Sequence, residues 1–158
     1  IPLRLVGSEM CIRDRDKAET LAERFMNSYL SATSQTDKLA PERVLYIIWK
    51  KPWMTISQDT YIARVLASVG LDQIKVDSEA RYPEVNIKAL AGDVDHILLS
   101  TEPFAFRKKD IQELTLEIEG CGKPKISLIN GEMTSWYGSR AIQGFDYLKS
   151  YRSSLISG

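Results

Sequence analysis

The sequence predicts a single α/β lobe: a four-stranded, mainly parallel sheet with helices on both faces. Three observations carry that prediction. Four short β-prone runs alternate with segments of helical period, and such connections feed parallel strands through right-handed crossovers. The first run, 44–49 (VLYIIW), is apolar without alternation, as in a strand covered on both faces. The segments just beyond the strands' carboxyl ends are unusually rich in aromatic rings.

Residues 1–15, IPLRLVGSEMCIRDR, show neither period. The run 6–15 resembles translated sequencing-adapter read-through, so residues 1–15 are expected to be non-native and the believable chain to start at Asp16. From there Ala18, Leu21, Ala22, Phe25, Tyr29 and Ala32 recur at three- and four-residue spacing, which predicts an amphipathic helix over 16–32. A polar connector, 34–42, leads to the strand at 44–49. A helix over 61–69 follows, with Gly70 as its stop. A short strand is expected at 74–76 and a helix at 87–91, capped by Asn86. A buried strand, HILLS, occupies 96–100, then a helix 109–119 ended by Gly120. The last strand is 125–129 and the last helix 139–154, with Ile142, Phe145, Leu148 and Tyr151 inward.

Composition narrows the function. Twenty-one basic residues balance twenty-one acidic ones, so no global field favours nucleic acid. No run approaches the length of a membrane-spanning helix. Cys11, Cys121 and the single histidine, His96, are too few for a structural zinc or a disulfide framework, leaving only a Cys11–Cys121 bridge open.

In open α/β sheets, ligands bind outside the carboxyl ends of the strands. The loops expected there, 49–57, 78–85, 101–106 and 130–138, hold half of the chain's aromatic residues and every tryptophan: Trp49, Trp53, Tyr82, Phe104, Phe106, Trp136 and Tyr137. Loops are ordinarily polar, so this clustering points to a pocket for a large, flat, partly apolar ligand. Lys50, Lys51, Arg81, Glu84, Glu102, Glu132, Ser135 and Arg140 supply a polar rim. Signals for catalysis are weak. No glycine-rich phosphate loop follows the first strand, where Trp-Lys-Lys-Pro-Trp stands instead, and no G-x-S-x-G elbow occurs.

Four motifs in order, VLYIIWKKPWMT, RYPEVN, DVDHILLSTEPFAF and NGEMTSWYGSR, resemble the C-terminal lobe of periplasmic binding proteins for vitamin B12 and ferric siderophores. These helical-backbone metal receptors serve ABC importers. The resemblance covers about 16–154 and implies a Rossmann-like lobe. Residues 16–33 would be the end of the long inter-lobe helix and 34–158 the C-terminal lobe, with the N-terminal lobe missing. It implies no catalysis, no intrinsic cofactor and no bound metal of its own. The ligand would be a corrinoid, haem or iron chelate, and the partners the permease subunits of an ABC importer. The location would be periplasmic or otherwise extracytoplasmic, with or without a lipid anchor.

The loop clustering and its polar rim make Trp49, Trp53, Tyr82, Phe104, Glu132, Trp136, Tyr137 and Arg140 the expected ligand-binding residues. Carried over by position, the resemblance puts Tyr82 where the B12 binder has a ring against the corrin, Trp49 next to another ring-bearing position, and Glu132 at an acidic ligand-facing one. Trp136 stands where the B12 binder has arginine. Glu84 and Lys88 occupy the permease-docking region, with Lys88 where a glutamate is usual. The alternative is a cytosolic doubly wound enzyme or half-enzyme using Glu84, Glu102 or Glu132 on an aromatic or nucleotide-like substrate. A further alternative is an interaction domain whose aromatic edge meets another protein.

Overall fold

The computed structural model describes the backbone of residues 4–36 and 38–157 and the side chains of 14–36 and 38–156. Helix α1 (Arg4–Thr36) precedes β1 (Glu42–Trp49), β2 (Met54–Thr55), α2 (Tyr61–Ala67) and β3 (Leu71–Gln73). Then come α3 (Ile87–Leu90), β4 (His96–Ser100), α4 (Lys108–Glu117), β5 (Lys125–Ile129), α5 (Gly131–Ser135) and α6 (Ala141–Ser157). A single 3₁₀ turn, Gly138–Arg140, joins the last two helices.

The sheet has five strands where the sequence predicts four. β1 pairs in parallel with β4, and β4 with β5. The other edge of β1 is shared: β3 runs parallel along its first half and β2 returns antiparallel along its second. Between those partners the side chain of Gln73 fills the gap. Its Oε1 accepts from the Tyr46 N–H at 2.9 Å, and its Nε2 donates to Thr55 Oγ1 at 3.1 Å. A buried backbone donor is thereby paired by a side chain where no strand carbonyl reaches it.

That need explains why β3 lies at 71–73 rather than at 74–76. Leu71 and Gln73 point inward, while the alternating Ile74 and Val76 stay only partly covered. The other differences are at element ends and inside loops. α1 is continuous from Arg4, so the helix predicted over 16–32 is longer at both ends. β2 and α5 fall inside segments predicted as loops. Gly70 and Gly120 take positive φ, 73° and 81°, as expected of residues that stop helices. The Cys11 thiol lies outside the described side chains, and Cys121 is exposed.

Alternation along the strands splits the core into two layers. Val44, Tyr46 and Leu98 face α2 and α6, meeting Leu66, Phe145 and Leu148, and Ala32 of α1 joins this layer. Leu45, Ile47, Ile97 and Leu99 face α3 and α4, meeting Ile87, Leu114 and Ile118. On α1, Phe25 and Tyr29 pack edge-on against Phe145 at 5.6 and 5.3 Å, and Ser28 Oγ donates to Asp146 Oδ1 at 2.9 Å. The start of the predicted stripe, Ala18, Leu21 and Ala22, remains exposed. Among the described residues, no helix is long and apolar enough to cross a membrane.

Candidate functional site

The chain leaves β1 toward β3 on one side and returns through α3 to β4 on the other. This reversal makes the carboxyl ends of β1 and β4 a topological switch point, the usual ligand crevice of open α/β sheets. A cleft of about 480 Å³ opens there. Tyr46, Ile48 and Trp49 come from β1, Met54 and Ile56 from the returning hairpin, and Ile62 from α2. Tyr82 closes it from the loop after β3, Glu102 and Pro103 from the loop after β4, and Gly131 and Ser135 from α5. The lining is mostly apolar, and two large rings stand half open to solvent: Trp49, 41 % exposed, and Tyr82, 48 % exposed.

The floor is held by hydroxyls. The buried Tyr46 hydroxyl donates to Ser100 Oγ at 2.9 Å and lies 2.7 Å from Thr134 Oγ1. Burial raises the Tyr46 pKa despite these two bonds, so the phenol is a neutral fixed group rather than an acid. Ser100 Oγ donates in turn to the Glu102 carbonyl at 2.5 Å, tying the loop after β4 to the floor. Gly131 is required for this fit, since a Cβ there would lie 2.5 Å from Ser100 Oγ and 2.9 Å from the Glu102 nitrogen. Asn130 caps α5 by accepting from the Met133 N–H at 3.1 Å.

Of the eight ligand-binding residues expected from sequence, Trp49 and Tyr82 line the cleft. Phe104 stands behind Trp49, edge-on at 5.4 Å, and rests 4.5 Å from Phe106. Trp53 is turned away. It is the last residue of the turn before β2, and while Met54 lines the cleft, Trp53 packs into the opposite layer. It stacks on Phe106 at 6.1 Å, and its Nε1 donates to Glu117 Oε1 of α4 at 3.1 Å.

Trp136, Tyr137 and Arg140 form a separate group beyond α5. The Tyr61 hydroxyl donates to the Trp136 carbonyl at 2.8 Å, and the Tyr61 ring meets Tyr137 at 4.2 Å. Arg140 lies over the Trp136 ring at 5.4 Å, and Glu132 is exposed on α5. The rings therefore gather along one end of the sheet but in two groups, with only Trp49 and Tyr82 opening into the cleft. Sequence reasoning missed the floor: Tyr46, Ile48, Met54, Ile56 and Ile62. The alternation of β1 puts Tyr46 and Ile48 on one face, which was the available signal.

Glu84 and Lys88 are both exposed, the first in a bridge to Met54 beside the cleft and the second on α3. His96 sits at the opposite end of the sheet, 3 % exposed, with its Nε2 2.8 Å from Glu42 Oε2. Among the described residues, no three metal-ligating side chains converge.

Lys50 does not enter the cleft. Its Nζ bridges Asp110 Oδ1 at 2.9 Å and Glu113 Oε2 at 2.5 Å, clamping the end of β1 to α4. The Glu113 and Asp110 bonds hold the Lys50 pKa up, so its contribution is complete at neutral pH. Burial works against ionisation of Asp110, but the bonds from Lys50 and from the Arg107 N–H outweigh it and hold its pKa down. A depressed carboxyl pKa adds stability that is full above the unfolded value, about 3.9, and is lost as pH falls through the folded one. Asp110→Asn is therefore expected to lower the urea midpoint at pH 7, with the gap from wild type closing below about pH 4. A gap that stayed constant down to pH 2 would contradict this assignment.

The switch-point cleft and the two-layer packing define a doubly wound lobe with a concave, mostly apolar site at one end of its sheet. No protein-family model matches the sequence, and neither does any curated protein sequence. Solved structures do match the fold. The periplasmic vitamin B12 binding protein BtuF of Vibrio cholerae superposes with a TM-score of 0.65 at 18% identity over 87% of this chain. A possible iron-binding periplasmic solute-binding protein of Staphylococcus epidermidis gives 0.70 at 20% over 94%. The periplasmic haem-binding protein HutB of Vibrio cholerae gives 0.68 at 13% over 94%. The chain spans 52%, 58% and 61% of those three proteins respectively. The fold resemblance drawn from the sequence motifs thus holds: this chain has the architecture found in periplasmic binding proteins for B12, iron and haem.

Proposed function

We propose that the chain is the C-terminal lobe of an extracytoplasmic solute-binding protein that captures a corrinoid, haem or iron chelate and hands it to an ABC importer. The observation that carries this reading is the switch-point cleft with Trp49 and Tyr82 half exposed across an apolar floor. Large rings kept open to water at a concave apolar site suit a planar or bulky chelate that removes them from water on binding. The function is binding and release, without catalysis. The three solved structures named above, described as B12-, iron- and haem-binding, support the ligand class.

In this reading residues 16–33 end the helix joining two lobes, and a second lobe supplies the opposite wall. Affinity of the single lobe is then weak, because half of the area that would leave water on binding is missing. Quenching of tryptophan fluorescence by cyanocobalamin, haemin or a ferric siderophore is expected in the high micromolar range. Absence of saturable quenching by all three up to about 1 mM would reject the reading.

Delivery to the permease is assigned to the exposed pair Glu84 and Lys88. Glu84→Lys is expected to leave ligand binding unchanged and to reduce ligand uptake in cells several-fold when carried by the two-lobed protein. Unaltered uptake would remove the pair from the docking surface.

A further inference from the structure

Resting on the proposed function, the charge distribution around the cleft narrows the kind of chelate edge that meets this wall. Glu102 is the charged side chain in the lining. Its backbone is fixed on both sides, the carbonyl accepting from Ser100 Oγ at 2.5 Å and the nitrogen packed against Gly131 so closely that no Cβ fits. Its carboxylate is exposed, and among the described residues no salt bridge is made to it.

Of the cations near the rim, Lys51 is exposed in the turn after β1 and lies outside the cleft lining, and the others are engaged elsewhere. Lys50 is held by Asp110 and Glu113 on the α4 side of the sheet. Arg81 lies 5.9 Å from the Tyr82 ring, near enough to Asp59 to help lower that carboxyl's pKa, and Arg140 covers Trp136. None of the three is in the cleft lining.

From this we infer that Glu102 is a specificity residue, selecting chelates that present uncharged hydrogen-bond donors such as carboxamides to this wall and disfavouring those that present carboxylates. A carboxylate accepts up to four hydrogen bonds and donates none, so an amide N–H can bond to it where a second carboxylate is repelled. Specificity here arises as much from repulsion of the wrong edge as from attraction of the right one.

Ring size and hydrophobicity must be held constant to test this. Cyanocobalamin is compared with its monocarboxylic acids, in which one peripheral amide is hydrolysed, and iron protoporphyrin is compared with its bis-amide. Each is titrated against this chain and against Glu102→Gln, with binding followed by equilibrium dialysis. Within the ring series that binds, the amide form is expected to bind roughly fivefold tighter than a carboxylate form, the difference shrinking in high salt. In Glu102→Gln that preference is expected to vanish, the carboxylate form binding tighter and the amide form no tighter than to wild type, while circular dichroism stays unchanged. Equal affinities in wild type, a carboxylate preference, or an amide preference that survives in Glu102→Gln would each overturn the inference while leaving the proposed function standing. Failure of both ring series to bind would overturn this inference, and the proposed function falls with it only where a ferric siderophore fails to bind as well.

Discussion

Arg152→Met is expected to lower the stability of the domain by about 3 kcal/mol, the largest loss from any single substitution considered for this chain. Arg152 is 1 % exposed on the inner face of α6. Its Nη1 pairs with Glu42 Oε2 at the start of β1, and its Nη2 donates to the Ala40 carbonyl at 2.8 Å. Glu42 also holds His96 at the start of β4, so one carboxylate joins the last helix to two central strands. Removing the guanidinium leaves that carboxylate facing His96 alone and the Ala40 carbonyl without its donor. Breaking a buried pair costs about 3–5 kcal/mol. Glu42 keeps 28% of its side-chain surface, which favours the lower end of the range. Against a total of about 5–15 kcal/mol, such a loss is large.

Methionine keeps most of the arginine's volume, so the effect reports on charge rather than on a cavity. Arg152→Met with Glu42→Leu is expected to recover much of the loss, because apolar replacement of a whole buried pair is often neutral or better. Urea unfolding of the single and double variants measures both. A single-variant loss under about 1 kcal/mol would show the triad to be energetically idle.

The same cluster shows how far the sequence could be followed. β4 and β5 were legible to the residue, β4 as a run buried throughout and β5 as a short β-prone run held between Pro124 and Asn130. Arg152 was within reach too: Phe145, Leu148, Arg152 and Leu155 follow the three- and four-residue spacing of one helix stripe, and all four are buried. Tyr151, expected on that stripe, does pack against this core and meets Ser127 Oγ at 2.6 Å, so Arg152 adds to the stripe rather than replacing it. Glu42 was less accessible, since a glutamate ending a polar connector gives no sign of a buried partner 110 residues on.

Two-residue β2 has no period to detect, and β3 was displaced because Ile74 and Val76 alternate convincingly while the demand for Gln73 comes from β1. The cleft was legible in its location and incompletely in its lining. Aromatic enrichment marked the right end of the sheet, but which rings open into the cleft depends on the β1–β2 return, and that return sends Trp53 to α4.

Trp49→Ala combined with Tyr82→Ala is expected to weaken binding of the chelate by about a hundredfold while leaving the fold intact. Each ring is roughly half exposed in the free lobe, so truncation removes little of the native packing beyond the Trp49 contact with Phe104 and the Arg81 contact with Tyr82. Surface changes of this kind usually fall within about 0.5 kcal/mol of stability. In the complex the same rings would be covered, and truncated aromatic anchors commonly cost about 2 kcal/mol or more each. Their effects need not add, because both contact one ligand. Trp53→Ala is the informative contrast. It removes the stack on Phe106 and the bond to Glu117, so it is expected to lower the urea midpoint while leaving affinity close to wild type. Equilibrium dialysis of a coloured ligand, which does not depend on the tryptophans being removed, measures all three proteins. If the folded double variant bound as well as wild type, or if Trp53→Ala proved the more damaging to affinity, the cleft between β1 and β4 would not be where the ligand rests. The ring group around Tyr61, Trp136 and Tyr137 would then be the next surface to truncate.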